Sequence, residues 1–435
     1  MNFPRIKRLI GEATWVVSGQ CFAVLGSLVL VRVLTEYLSP TQYGELALGL
    51  TFAALVNQAV MGGVVAGIGR YFSVAIESRD IAGYLYATHR LMAYATAAAA
   101  ALGLVSIILL VWIGNAQWIG LVSVTLVFSL FTGYSATVSS IQSAARQRSL
   151  VAVFGGLDAW LRILLAVAMT ALLGVSSVSV MAGYALSSVL VTGAQYYFLR
   201  RSVISKSSHV RVSDDWERRI WAFAWPISVF GIFTWMQLVS DRWALHTYVS
   251  IQELGLYSVV FQLGYTPIGL ITGMAMSFMG PILYQRAGDA VDRGRNMDVH
   301  RLVWVVAFAG ISLTGITFVS AFLLHEWIFG LLVAPSYREV SYLLPWIVLA
   351  GGVFSVGQMF ALKLMSEMRP GLMSGAKIVT AILGIGLNIV GAAKFGLLGV
   401  VWALVTFSCI YFLWMAWLAT QSLTLENYPA FSEKR

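Results

Sequence analysis

Residues 28–48 read LVLVRVLTEYLSPTQYGELAL. An apolar helix carries Arg32 inside it and ends at Tyr37-Leu38-Ser39-Pro40. After a few polar residues comes Gly44, and a second apolar run begins at once. The same design returns near Leu238. Arg242 lies inside a helix, followed by Tyr248-Val249-Ser250, Glu253, Gly255 and another apolar run. Tyr37 and Tyr248, Ser39 and Ser250, and Gly44 and Gly255 share one offset of 211 residues, about half the chain. The echo predicts two related halves, each opening with a helical hairpin that holds one arginine.

Composition sets the solvent. Of 435 residues, 59% are hydrophobic and 11% charged, against about 25% charged in a soluble domain. Such a chain cannot cover itself with a hydrated surface. Apolar runs of about 20 residues recur, each long enough to cross a ~30 Å hydrocarbon layer, so the fold class is an all-α polytopic membrane protein. The basic opening MNFPRIKRLIGE leads into an apolar run without an A-x-A-like cleavage site, which predicts a retained first span. The net charge of +9 is distributed in a way that argues against a nucleic-acid partner. Cys21 and Cys409 both fall inside apolar spans and read as packing residues, and the five histidines form no zinc motif. No P-loop, HExxH or GxSxG is present. The chain therefore shows no ATPase or hydrolase signature and calls for no cofactor and no metal. Active transport would draw on an ion or substrate gradient, or on a partner.

Hydropathy predicts twelve spans, roughly 11–36, 43–67, 88–114, 117–142, 151–173, 178–200, 220–247, 255–281, 302–325, 342–364, 371–393 and 396–419. The loop Ile68–Ala87 is long enough to hold a short helix of its own. Arginine and lysine test this layout. The loops on one side, with the two termini and the bordering span ends that carry Arg90, Arg200 and Lys363, hold 22 of the 28, while the opposite side holds only Arg338 and Lys394. That asymmetry predicts an even number of spans with both termini in the cytoplasm. The longest polar break, Arg200 to Arg219, is basic and serine-rich and falls near the midpoint. It divides the chain into an N-terminal lobe at 1–200, a cytoplasmic linker at 201–219 and a C-terminal lobe at 220–435. A basic linker of this kind is a solvated segment obeying the charge rule, with an amphipathic resting place on anionic headgroups as the other reading. The outer loops are too short for a catalytic domain.

Away from the cytoplasmic ends of the spans, four cations lie deep inside them: Arg32, Arg162, Arg242 and Lys377. Each costs about 2.5–3.5 kcal/mol at a helix centre, so such residues usually face a cavity, a partner or an interface. Arg162 lies about 16 Å into span five at 1.5 Å per residue, with Asp158 four residues earlier on the same face. The pair is either a self-neutralised packing device or a charge presented to a central cavity. Arg32 and Arg242 come late in outward-running spans and can snorkel to the outer headgroups, or flank a shared cavity. Asp241 neighbours Arg242, but i,i+1 positions do not face each other, so its partner is expected elsewhere, with Gln237 one turn back as a candidate. Lys377 shares a helix face with Asn388. Spans four (Ser129, Thr132, Ser135, Ser139, Ser143) and six (Tyr184, Ser188, Thr192, Gln195) carry polar stripes at three- and four-residue steps. These mean close helix packing or a hydrated interior. Pro226, Pro267, Pro281 and Pro345 stand inside or beside spans and would let helices bend.

The opening GQ…LGSLVLVRVLTEYLSPTQYGELAL and the run GGVVAGIGRYFS, covering about Gly19–Tyr71, together with twelve spans in two lobes, resemble the polysaccharide (O-antigen type) flippases. Those belong to the multidrug/oligosaccharidyl-lipid/polysaccharide exporter superfamily. The resemblance implies two six-helix lobes related by a pseudo-two-fold around a central cavity, in the bacterial inner membrane. It implies movement of a polyprenyl-pyrophosphate-linked oligosaccharide to the outer leaflet by alternating access. It also implies membrane lipids, a coupling proton or sodium ion, and polysaccharide polymerase and chain-length machinery as partners. On that view Arg162, then Arg32, Arg242 and Lys377, replace water around the diphosphate. Asp158, Asp241 and Asn388 support them or couple an ion. The lipid-linked peptidoglycan-precursor flippases typically have fourteen spans. An exporter of small organic cations, relying on Asp158 or Asp241, is the second transporter reading. A membrane-embedded glycosyltransferase would need a site on a substantial outer loop, where His325-Glu326, Arg338 and Glu339 are the only polar cluster. The chain reads as a transporter and not an enzyme.

Overall fold

A computed structural model describes residues 3–202, 215–288, 292–367 and 370–421. The described part is helical throughout, as it must be where lipid offers no partner to a backbone N–H or C=O. In order the helices are α1 (Phe3–Tyr37), α2 (Pro40–Leu55), α3 (Gly62–Glu77), α4 (Ile81–Trp112), α5 (Ile119–Ala144), α6 (Arg148–Leu173), α7 (Ser177–Ser202), α8 (Asp215–Tyr248), α9 (Ile251–Ala287), α10 (Arg293–Leu332), α11 (Leu344–Ser366) and α12 (Pro370–Gln421). A π-helical turn, Val56–Met61, joins α2 to α3, and a 3-10 helix, Pro335–Leu343, precedes α11.

Among the described residues, eleven helical segments are long and apolar enough to cross a membrane. Twelve crossings fit into eleven segments because α12 is two helices in one. Its 52 residues break at Gly396, with φ 61° and ψ −140°. At 1.5 Å per residue they would reach about 78 Å if straight, more than twice the hydrocarbon thickness. The two arms of this hairpin touch backbone to backbone. A Cβ on Gly391 would stand 2.5 Å from the carbonyl oxygen of Gly399, so only glycine permits the approach.

The expected short helix within Ile68–Ala87 is not a separate element. The second crossing runs on through α3 to Glu77, and α4 starts at Ile81 after a three-residue turn. The stretch has no proline to stop α3, and the chain turns only where Asp80 caps α4 by accepting from Gly83 N at 3.0 Å.

The repeat seen in the sequence is a repeat of helix starts. Ser39 caps α2, its side chain accepting from Gln42 N, and Gln42 reciprocates to the Ser39 backbone. Ser250 caps α9 by accepting from Glu253 N at 3.1 Å. Gln42 and Glu253 also differ by 211, so both hairpins carry the S-x-x-E/Q start signal.

Packing divides the chain into two units, Met1–Val239 and Ser240–Arg435. The boundary lies inside α8, beyond the predicted linker 201–219. Residues 203–214 of that linker are outside the described residues. In the first unit α5 is the hub, with α2, α3, α4, α6 and α7 packed on it and α1 packed on α6. The beginning of α8 belongs here too. Trp216 Nε1 donates to Asp80 Oδ2 at 2.8 Å and Trp235 Nε1 to Thr51 O at 2.8 Å. In the second unit α11 is the hub for α9, α10 and α12. Large apolar side chains such as Leu104, Ile108 and Val111 on α4, and Phe308, Ile316 and Leu323 on α10, point outward, which is the ordinary surface of a helix that meets lipid.

Candidate functional site

In the first unit the site is built on α6. Arg162 is the fifteenth of its 26 residues, the middle of the crossing. The expected i,i+4 ion pair with Asp158 forms. Ser187 of α7 donates to Asp158 Oδ1 at 3.0 Å, fixing the carboxylate from a second helix. The guanidinium lies 5.1 Å from the centroid of Phe128 and 6.0 Å from that of Tyr184, within cation–π range. The side chains of Arg162 and Asp158 stay 27% and 22% exposed. Arg162 is therefore held in place on one side and open on another, the state of a charge that can still meet a ligand.

The polar stripes on α5 and α7 face each other. Gln195 Nε2 donates to Ser139 Oγ at 2.8 Å and to Gln142 Oε1 at 2.9 Å. Ser135 donates to Gln195 Oε1 at 3.1 Å, and Thr192 to Phe131 O at 3.0 Å. Here the packing reading prevails over a hydrated interior, because these groups bond to one another across the helix contact. Asn57, in the π-helical turn, donates to Thr132 Oγ1 at 3.1 Å and to Ala53 O at 3.0 Å. The turn that interrupts the second crossing is thus pinned to the hub helix.

In the second unit α8, α9 and α12 converge. Asp241 is 3% exposed and accepts from the Tyr257 hydroxyl at 2.7 Å. Asn388 Nδ2 donates to Ser240 Oγ at 2.8 Å. The Arg242 guanidinium lies 4.6 Å over the Phe261 ring, which stacks on Tyr265 at 4.6 Å. One expectation is corrected. Asp241 does meet Arg242, whose backbone N–H donates to Oδ1 at 2.7 Å and whose Nη1 lies 3.4 Å from it. The i,i+1 rule describes where Cβ bonds point, and a long guanidinium can turn back past its own Cβ.

Arg32 has a partner one turn on, pairing with Glu36, and is 38% exposed. The i,i+4 spacing that carries this pair is plain in the quoted stretch, but the sequence reading left Glu36 out. Counted from the capping serines, Arg32 stands seven residues before Ser39 and Arg242 eight before Ser250. They are therefore out of register by one residue, about 100° around a helix. Lys377 is half-buried, and no described residue forms an ion pair with it. Asn388, the expected neighbour on its helix face, is engaged by Ser240 instead.

A further buried pair was not expected at all. Lys363, counted among the loop cations, is 0% exposed. Its Nζ lies 2.5 Å from Glu367 Oε1 and donates to Ala419 O at 2.9 Å. At the other end of α10, Arg338 donates to Gly330 O at 3.1 Å and to Val333 O at 3.4 Å, and the His325 ring meets Ser341 Oγ at 3.0 Å. These polar residues fasten the loop after α10. Among the described residues no group of three or more His, Cys, Asp or Glu could hold a metal ion.

No protein-family model and no curated protein matches the sequence. Solved structures do match. An inward-facing multidrug resistance MATE family transporter of the MOP superfamily aligns over 96% of this chain and 100% of its own, with TM-score 0.65 and 13% identity. The lipid II flippase MurJ, in an inward closed conformation, aligns over 94% of this chain and 87% of its own, with TM-score 0.67 and 12% identity. The eukaryotic MATE transporter AtDTX14 aligns over 96% and 98%, with TM-score 0.61 and 11% identity. The chain has the fold shared by these transporters.

Proposed function

We propose that this protein is a flippase that moves a polyprenyl-pyrophosphate-linked oligosaccharide from the cytoplasmic to the outer leaflet for cell-surface or exopolysaccharide biosynthesis. The observation that carries the proposal is Arg162, a positioned cation in the middle of a membrane crossing that remains partly open. A diphosphate entering hydrocarbon loses its water, and an arginine fork can replace it with paired, charge-assisted hydrogen bonds. Arg32, Arg242 and Lys377 are further contacts for the diphosphate or its sugars. Asp158 tunes Arg162. The proposed cycle is alternating access between two six-helix lobes, 1–200 and 220–435, joined by 201–219 around a central cavity. The setting is the bacterial inner membrane with both termini cytoplasmic, and the product passes to polysaccharide polymerase and chain-length machinery. That a solved lipid II flippase has this fold supports a lipid-linked substrate.

A second reading rests on Asp241, whose carboxylate is buried and held by Tyr257. With Asn388 and Ser240 nearby it could accept a proton or bind sodium, coupling an ion gradient to export. In that role it serves the flippase, or alternatively an exporter of small organic cations, a reading favoured by the fold shared with a multidrug resistance MATE family transporter.

Binding separates the two readings. With a fluorescent polyprenyl-pyrophosphate sugar in detergent, Arg162→Gln should weaken binding about tenfold or more, the size of a lost hydrogen bond to a charged group. Asp241→Asn should leave that affinity within about twofold. Unchanged lipid binding in Arg162→Gln, with organic-cation binding lost in Asp241→Asn, would reverse the preference.

A further inference from the structure

The first unit contains a cavity of about 340 Å³ that the transport reading does not use. Its floor is α5. Its two walls are the start of α4 and the end of α7, which both pack on α5 and leave a cleft between them. His89, Ala93 and Tyr196, all exposed, line its mouth. The mouth therefore opens sideways between two membrane-crossing helices.

The interior has little for a polar ligand. Tyr134 shares a hydrogen bond with Thr96 at 2.7 Å, and Thr137 donates to Gly133 O at 3.0 Å. Apart from these and Thr88, the buried lining is leucine, methionine, valine and isoleucine. Thr88 is 5% exposed, and its hydroxyl faces that of Tyr84 without a partner at 3.5 Å or less. Tyr84, one turn back, already donates its own hydroxyl to Ile68 O at 2.7 Å. Protein interiors are close-packed, with few voids larger than a water molecule. A void of this size, apolar and open to the bilayer, is one that hydrocarbon fills.

The surroundings select the headgroup. Leu199 lines the cavity, and the next two residues, Arg200 and Arg201, form the basic last turn of α7. At the same end of the unit, Asp80 is held by Trp216 and Gly83, Glu217 by Arg90 at 2.9 Å, and Asp215 by Arg219 at 3.2 Å. The arginines there outnumber the acids left to neutralise them. The positive-inside rule makes this end cytoplasmic, where anionic lipids attract basic segments.

The geometry points to a binding site for one anionic phospholipid of the cytoplasmic leaflet. An acyl chain enters between α4 and α7, its ester carbonyl accepts from the Thr88 hydroxyl, and its phosphate meets Arg200 and Arg201. The site lies on the first unit alone and does not depend on what the protein transports.

Photolabelling tests it on the full chain in liposomes, using phosphatidylglycerol and phosphatidylcholine that carry a diazirine on one acyl chain. Phosphatidylglycerol label should concentrate on peptides covering 85–93, 134–141 and 196–199 rather than on the lipid-facing surface of α10. Ala93→Trp, which plugs the mouth at a surface position, should remove that concentration. Arg200→Gln with Arg201→Gln should lower phosphatidylglycerol labelling there roughly five- to thirtyfold while sparing phosphatidylcholine. Label spread evenly over α4 and α10, or unaffected by Ala93→Trp, would overturn the site. An unchanged ratio of the two lipids in the double variant would overturn the anionic preference. Displacement of the label by equimolar polyprenyl pyrophosphate would assign the cavity to that lipid class and overturn the phospholipid assignment.

Discussion

At the scale of single residues, three ion pairs, in α6, in α8 and at the end of α11, differ in how the sequence announces them. Asp158–Arg162 is an i,i+4 pair in an apolar run, so spacing alone brings it together. Asp241 was legible as a buried acid, but its hydroxyl partner Tyr257 belongs to another helix, and no local spacing encodes that meeting. Lys363 was misread. A lysine near a helix end, six residues before Arg369, looks like a loop cation. Its burial is decided by the end of α12, whose Ala419 carbonyl it reaches at 2.9 Å. The Lys363–Glu367 pair makes a prediction about stability. Removing one member of a buried pair strands the other charge and costs about 3–5 kcal/mol, whereas replacing both with apolar residues is often nearly neutral. Lys363→Met and Glu367→Gln should therefore each lower the thermal midpoint in detergent clearly, and Lys363→Met with Glu367→Met should recover much of the loss. A double variant as unstable as the worse single one would mean that packing around these side chains, rather than charge, dominates.

At the scale of elements, the hairpin starts repeat with chemical fidelity. Ser39 with Gln42 and Ser250 with Glu253 perform the same capping at one offset. Substituting a capping serine by alanine costs about 1 kcal/mol, so Ser39→Ala and Ser250→Ala should lower the thermal midpoint by similar, small amounts. A loss confined to one of them would show that the two hairpins have diverged in what holds them. Length and hydropathy made twelve crossings legible, including the pair that shares α12, because Lys394 and Gly396 interrupt the apolar run. The continuation of α3 to Glu77 and the π-helical turn at Val56–Met61 were not legible. Hydropathy marks where a helix leaves lipid, not where it stops. A π-helical turn is stabilised by tertiary partners, here Thr132 on α5. Likewise the polar stripes on α5 and α7 gave their helix faces from sequence. Only packing revealed that the faces meet each other.

At the scale of the whole molecule, the described residues are helical with the fold of MATE and MurJ transporters, which agrees with the fold class expected from composition and hydropathy. The division between its two units falls inside α8, beyond the expected linker, because the first part of α8 packs through Trp216 and Trp235 onto earlier helices. Basic composition does not say which unit the following helix packs on. The central claim is that Arg162 serves a lipid-linked diphosphate, and it is tested most directly by transbilayer movement of a polyprenyl-pyrophosphate sugar in proteoliposomes. Wild type should move the lipid, Arg162→Gln should slow it about tenfold or more, and Arg162→Gln with Asp158→Asn should stay folded yet equally slow. Wild-type rates in both variants would contradict the account and leave Arg162 as a partner for Asp158 alone.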